Sequence, residues 1–495
     1  MKAFTEPLLS LAGFEEMTKT AEKSSGLISV TGCIDAQKSQ MIYAFGGHRK
    51  NKLIVTFGEQ KAKELYDEYS FFDKEVVYYP SKDVLFYQSD IRGNLLTAER
   101  IRALKAIREQ ESVTLVTTFD ALMNTMAPIE KMWENVLTLE QGQLLDLKEI
   151  QAALIRMGYE KEYQVQTMGQ FSVRGGILDV FPLTEENPIR IELWGDEIDT
   201  IRYFDCESQK SIENTDRVSI YPAAEIVLSD EEKAGGIEKL KAEAKRVSDK
   251  LRKQMKTEEA HRVSVMADEL TEEWGELSMY AGMDAFLSYF FDERVGLLDY
   301  FKPSDSLIFF DELTRCTEQG KLTETEFSES MKQRLAMGYI LPGQMNGLFT
   351  EKEIVAKLAK YSCIALAALD NKANGLHQLG SYGIHCQSVS PYNNSFELLI
   401  KDLKRYKKNG YRVILLSGSR TRAKRLSEDI TDKGITCFYT ENYDHELSEG
   451  QIMVCYGKVR RGFEYPILKF AVITESDIFG AQQKKKKRHR TYEAV

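Results

Sequence analysis

Short apolar runs alternate with stretches of helical spacing along the first part of the chain. Gly26-Leu27-Ile28-Ser29-Val30-Thr31-Gly32 reads as a buried strand and turn, and Leu53–Phe57 as the next strand. From Glu59 to Tyr69 the spacing becomes helical and gathers Ala62, Leu65 and Tyr69 on one face. Residues 75–79 form a third strand stopped by Pro80, and a helix over 97–109 leads to a strand at 113–117. Strands that alternate with helices predict a parallel sheet covered on both faces.

The pattern changes near residue 124. Asp146 and Glu149 make a capping-box-like helix start, and Gly158 fits the position just past its end. Segments 170–174 and 177–181 flank a Gly175-Gly176 turn, which favours a hairpin; Ile189–Trp194 and Thr200–Phe204 extend the antiparallel set. We read residues 1–123 as the first part of an α/β domain, 124–213 as a small antiparallel α/β insert, and 214–330 as the domain's second part. In the second part, Ser229 and Glu232 form another capping box, helical spacing runs on to about residue 300, and Ser306–Phe310 is a buried strand. The looser composition of 331–349, with Pro342, Gly343 and Gly347, predicts a linker; 350–480 reads as a further α/β domain and 481–495 as a basic linker. The expected fold class is therefore multidomain α/β.

Hydrophobic residues are 43% and charged residues 29% of the 495, enough for several cores in an aqueous protein. No apolar run reaches the ~18–20 residues of a membrane span, and the amino terminus lacks a signal-peptide core, so a cytoplasmic location without membrane contact is expected. The seven cysteines and six histidines are scattered without a CxxC pair, which argues against a zinc site or a disulfide framework. The net charge of −10 argues against one extended DNA clamp. The conspicuous basic run, Lys484–Arg490, reads as a solvated linker or as a weak contact for nucleic acid or an acidic partner. It lies so near the last residue that more chain is expected beyond it.

Two places carry candidate chemistry. Gly32-Cys33-Ile34-Asp35-Ala36-Gln37-Lys38-Ser39 has the spacing of a phosphate-binding loop, with Gln37 where its second glycine should stand. A side chain there crowds the backbone that would close around an anion. Lys38 and Ser39 hold the positions for phosphate and magnesium, and the strand ending in Asp311-Glu312 has the form of a Walker B segment. The combination predicts a RecA-like domain whose nucleotide site is degenerate; an active ATPase or helicase is the competing reading. In the insert, period-two alternation puts Ile189, Ile191 and Leu193 on one face and Arg190, Glu192 and Trp194 on the other, with Arg174 nearby. An exposed Trp beside Arg has the composition of a protein-binding hot spot, and truncating Arg190 should leave the core face undisturbed. A solvated strand with its Trp half covered is the alternative.

The segments Phe171-Ser172-Val173-Arg174-Gly175-Gly176-Ile177-Leu178-Asp179-Val180-Phe181-Pro182, Ile189–Ile198 and Val218–Ala223 resemble, in order and spacing, three segments of the repair protein UvrB. Gln37 departs from UvrB's intact phosphate loop. Tyr78–Asp90 leads almost directly into the Ala98-Glu99-Arg100 helix, leaving no room for UvrB's damage-probing hairpin, so a UvrB-type damage verifier is a disfavoured alternative. The shorter pattern is similar to the amino-terminal region of bacterial transcription-repair coupling factors. The resemblance implies a monomeric platform that binds UvrA through Arg174, Arg190 and Trp194, the last standing where a Phe is common. It implies no cofactor for these residues. ATP and magnesium, RNA polymerase and duplex DNA would be bound by domains beyond them.

Overall fold

The computed structural model describes residues 1–45, 50–82, 93–276, 282–369 and 375–480. The basic run 484–490, the rest of 481–495 and the whole of 83–92, where the damage-probing hairpin is expected to be missing, lie outside the described residues.

The apolar runs form a seven-stranded parallel sheet, in the order Gln378–Gly383, Gly26–Thr31, Ser362–Leu366, Ser306–Asp311, Asn51–Thr56, Thr114–Thr118 and Val77–Tyr79. Its central strands are buried on both faces, which is why their sequences read as continuous apolar runs instead of alternating ones. The Glu59–Tyr69 helix packs on it through Ala62, Leu65 and Tyr69, as its spacing predicts.

Here the expected boundaries need correction. Ser362–Leu366 sits between Gly26–Thr31 and Ser306–Asp311, and Gln378–Gly383 forms the sheet's edge. Residues up to 383 thus complete the first sheet, and the sheet of the following unit starts at Gln387. The stretch 331–349 is not a linker: the Leu313–Ala336 helix runs into it, and Ile340, Leu341, Leu348 and Phe349 are buried. Residues 124–136 also belong to the main body, where Met126, Ile129 and Met132 enter its core.

The next sheet runs Gln387–Ser388, Phe463–Tyr465, Phe470–Thr474, Arg412–Ser417, Ile452–Tyr456 and Phe438–Tyr439, with Phe463–Tyr465 running antiparallel to the other strands. It is welded to the first. Ile28, Ile54 and Phe309 of one sheet share a continuous core with Ile414, Met453 and Val472 of the other. The Lys2–Leu9 helix fills the joint, with Phe4 edge-on to Phe71 and Phe72 at 5.5 and 5.6 Å. Gln40 bridges it further, donating to the Phe4 carbonyl and accepting from the Tyr465 hydroxyl at 3.2 Å.

The insert rises from a two-stranded stem, Leu137–Glu140 paired with Arg217–Ile220. Above it is a six-stranded sheet in the order Ser211–Thr215, Glu197–Phe204, Ile189–Trp194, Ile177–Val180, Gln170–Arg174 and Glu160–Lys161. One face closes over Phe171, Leu178, Ile189, Ile191 and Leu154, the last from the Leu147–Arg156 helix that Asp146 caps. The main body also carries a helical hairpin, Asp230–Lys253 and Thr257–Glu276. It packs around Leu240, Trp274, Phe286 and Phe290, and Gly236 is required there because a Cβ would lie 2.1 Å from the Phe290 ring.

Candidate functional site

The outer face of the insert is organised by a carboxylate that pattern reading passed over. In Ile177-Leu178-Asp179-Val180 the alternation sends Leu178 and Val180 inward and Asp179 outward. The register places Asp179 directly across from Arg190 and Ser172. Asp179 is nevertheless only 1% exposed, because two arginines cover it. Arg190 donates to it from Nε at 2.7 Å and from Nη2 at 2.8 Å, a bidentate fork. Arg174 donates from Nη2 at 2.8 Å. Arg190 also donates to Gln209 and lies over the Phe204 ring, 4.3 Å from its centroid. The hydrogen bonds to Asp179 outweigh partial burial and raise the Arg190 pKa.

Beside this clamp the strand ends in Trp194, which is 84% exposed. It pairs with Glu197 across the Gly195-Asp196 turn, and Glu197 is bridged on its other side by Leu144. Trp194, Glu197 and Leu144 therefore stand abreast on one face, and Leu144 is 75% exposed. Next to them Arg202 and Glu192 form a bidentate pair. The arrangement presents two oriented, partly exposed guanidinium groups next to a flat apolar anchor.

Arg174, Arg190 and Trp194 thus share the face that alternation assigns them, and Trp194 is uncovered. Sequence reading missed Asp179, Gln209, Glu197 and Leu144. Leu144 had one signal, an apolar residue after the polar turn Gln141-Gly142-Gln143. One expectation fails: Arg190 is not a detachable surface group, since it neutralises a buried carboxylate.

The loop that resembles a phosphate site follows the Gly26–Thr31 strand. Gly32 has φ +79°, and a Cβ on it would lie 2.0 Å from the Ile384 carbonyl oxygen, so the backbone just past the neighbouring Gln378–Gly383 strand accounts for this glycine. Gln37, Lys38 and Ser39 are buried in the Asp35–Phe45 helix. Lys38 is consumed by acids: Nζ lies 2.5 Å from Asp311, 2.9 Å from Glu312 and 3.2 Å from Asp35. Burial works against its charge, but Asp311 and Glu312 outweigh burial and hold the ammonium above its ordinary pKa range. Asp311 also accepts from the Thr56 hydroxyl at 2.9 Å, and Glu312 from the Ala368 amide at 3.1 Å. The lysine that would meet a phosphate and the acid that would serve magnesium are bonded to each other, and the Gln37 side chain lies inside. ATP and magnesium do not fit this arrangement. Among the described residues no group of His, Cys, Asp and Glu could hold a metal ion, and no helix is long and apolar enough to cross a membrane.

The insert has a known counterpart. Residues 137–226 match the UvrB interaction domain. The match covers the stem, the six-stranded sheet and every residue of the arginine–tryptophan face. The chain is also similar to proteins named transcription-repair-coupling factor. The Bacillus subtilis protein is 28% identical over 438 residues, 88% of this chain and 36% of its own length. Those of Staphylococcus haemolyticus and Staphylococcus aureus MRSA252 are each 26% identical, over 93% and 96% of this chain and 39% and 40% of their own length. The chain thus spans about two fifths of the curated relatives it matches.

Proposed function

We propose that this chain is a recruiting platform of transcription-coupled nucleotide-excision repair, and that its UvrB interaction domain binds UvrA through Arg174, Arg190 and Trp194. The observation that carries the reading is the clamp. Asp179 fixes both guanidinium groups before any partner arrives, beside a Trp with almost no intramolecular contact. Oriented arginines and a rigid aromatic ring lose little conformational freedom on binding, which favours a tight, specific interface. Leu144 and Glu197 extend the contact beyond Trp194.

In the longer protein, displacement of stalled RNA polymerase by ATP-driven translocation on duplex DNA would belong to other domains. The self-paired Lys38 cluster supports assigning no ATP turnover to this chain.

The test is calorimetric titration of purified UvrA with wild type and Trp194→Ala. A buried aromatic anchor contributes at least ~2 kcal/mol, so the variant should bind roughly 30-fold more weakly with an unchanged melting temperature. Equal affinity for wild type, Trp194→Ala and Arg174→Ala would place the interface elsewhere.

A further inference from the structure

The chain carries a net charge of −10, yet one part of its surface has the opposite sign. Between residues 245 and 256 stand Lys245, Arg246, Lys250, Arg252, Lys253 and Lys256, against the single acid Asp249. This stretch is the end of the Asp230–Lys253 helix and the turn into Thr257–Glu276, the tip of the helical hairpin. All six basic side chains are exposed. Arg252 approaches Asp249 at 3.8 Å; the other five form no ion pair among the described residues.

Helix electrostatics explains part of this, since cations are favoured in the last turn, where Lys250, Arg252 and Lys253 lie. It does not explain Lys245 and Arg246, about two turns from the helix end. Nor does it explain Lys256, placed just before the amino terminus of the next helix, where a cation is disfavoured. The tip packs against little: Met255 is 88% exposed, with φ +64°. One turn further on, Arg262 donates to the Met337 carbonyl at 2.8 Å and stacks 5.0 Å from the Tyr339 ring centroid. That contact brings the exposed Lys332, Met337 and Tyr339 to the same end of the molecule.

We propose that this hairpin tip is a contact site for the phosphate backbone of duplex nucleic acid. The cations from Lys245 to Lys253 span ~12 Å at ~1.5 Å per residue, and duplex DNA offers a charge every ~1.7 Å of axis. An array of exposed, long-stemmed cations, of which only Arg252 has an ion pair among the described residues, suits a dense, repetitive polyanion. An acidic protein would need a pocket for its anchor residue, whereas Tyr339 is already stacked with Arg262. The site is separate from the UvrA-binding face and does not depend on that reading.

The experiment is fluorescence anisotropy of a labelled duplex of ~24 base pairs, long enough to face the whole array. It uses the full chain across a salt series. The variants are Lys250→Glu/Lys253→Glu/Lys256→Glu, the same positions changed to Gln, and a tail variant with Lys484–Lys487 changed to Gln. The Glu triple should weaken binding at least tenfold. It should also lower the slope of log affinity against log salt by ~3, since each lost phosphate contact removes ~0.9. The Gln triple should show a smaller loss in the same direction, and the tail variant should keep the hairpin-dependent part. Unchanged affinity and slope in both triples would overturn the proposal. So would loss of all binding in the tail variant, or tighter binding to poly-glutamate than to duplex at equal charge concentration.

Discussion

Removing Arg190 should disturb folding as well as binding, and the two effects can be separated. The Arg190 side chain is 12% exposed and Asp179 is 1% exposed. In Arg190→Ala, Asp179 loses two of its three guanidinium hydrogen bonds and keeps only Arg174, which is 34% exposed. Breaking a fully buried ion pair commonly costs ~3–5 kcal/mol because the remaining charge is stranded. Here Arg174 stays and water gains access to Asp179, so a cost of ~1–3 kcal/mol is expected, including the lost stacking on Phe204. Trp194→Ala removes a side chain that is 84% exposed and should change stability by less than ~0.5 kcal/mol. The assay is urea denaturation of both variants, followed by UvrA titration at a temperature where each is folded. Asp179→Asn/Arg190→Gln, which removes the charge from both partners, should recover part of the lost stability and none of the affinity. Equal midpoints for Arg190→Ala and Trp194→Ala would refute the view that Asp179 needs Arg190.

Two further perturbations probe the main body. Lys38→Ala leaves Asp311 fully buried with only the Thr56 hydroxyl, so it should destabilise by ~3–5 kcal/mol and wild type should show no ATP turnover; turnover that vanishes in a folded Lys38 variant would contradict the closed site. Glu68, buried at the joint between the two large sheets, has its pKa pushed up to about 7 by burial, against partial compensation from Arg460 and Lys61. The folded chain then holds a proton that the unfolded chain releases near 4.5, so stability should fall as pH rises from about 4.5 to about 7, by up to ~3 kcal/mol. Glu68→Gln should flatten that slope in urea melts at several pH values, and an unchanged slope would remove Glu68 from the explanation.

Local elements were legible because their signals are local. The cap at Asp146, the Gly175-Gly176 turn and the one-sided Glu59–Tyr69 helix are set by neighbours a few residues apart. The position of Ser362–Leu366 was not legible. Its pairing with Gly26–Thr31 closes a loop of more than three hundred residues, and an apolar run gives no hint of which sheet it joins. The same limit hid Asp179. Alternation shows that it faces away from the core, but only the register shows that it faces Arg190. The residues 331–349 misled for a different reason: Pro342, Gly343 and Gly347 mark a compact 3-10 turn, and the burial of Ile340, Leu341, Leu348 and Phe349 around it outweighs the turn composition.

The two charged centres apply one device to opposite ends. Each sets a buried carboxylate, Asp311 or Asp179, against cations from a different element. At the loop the cation is Lys38, 1% exposed and shared among three acids, so no charge is left to meet an anion. The negative charge facing Lys38 comes from the chain itself, from Asp311, Glu312 and Asp35. At the insert, two guanidinium groups share one carboxylate, which leaves an excess of positive charge, and Arg174 and Arg190 keep part of their surface in solvent. Their orientation is fixed while N–H groups remain for a partner's acceptors, since a guanidinium has five and these bonds use one from Arg174 and the Nε and Nη2 of Arg190. The ratio of cations to acids, and how far the cations are covered, separates the buried Lys38 cluster from the partly exposed arginine pair of the insert.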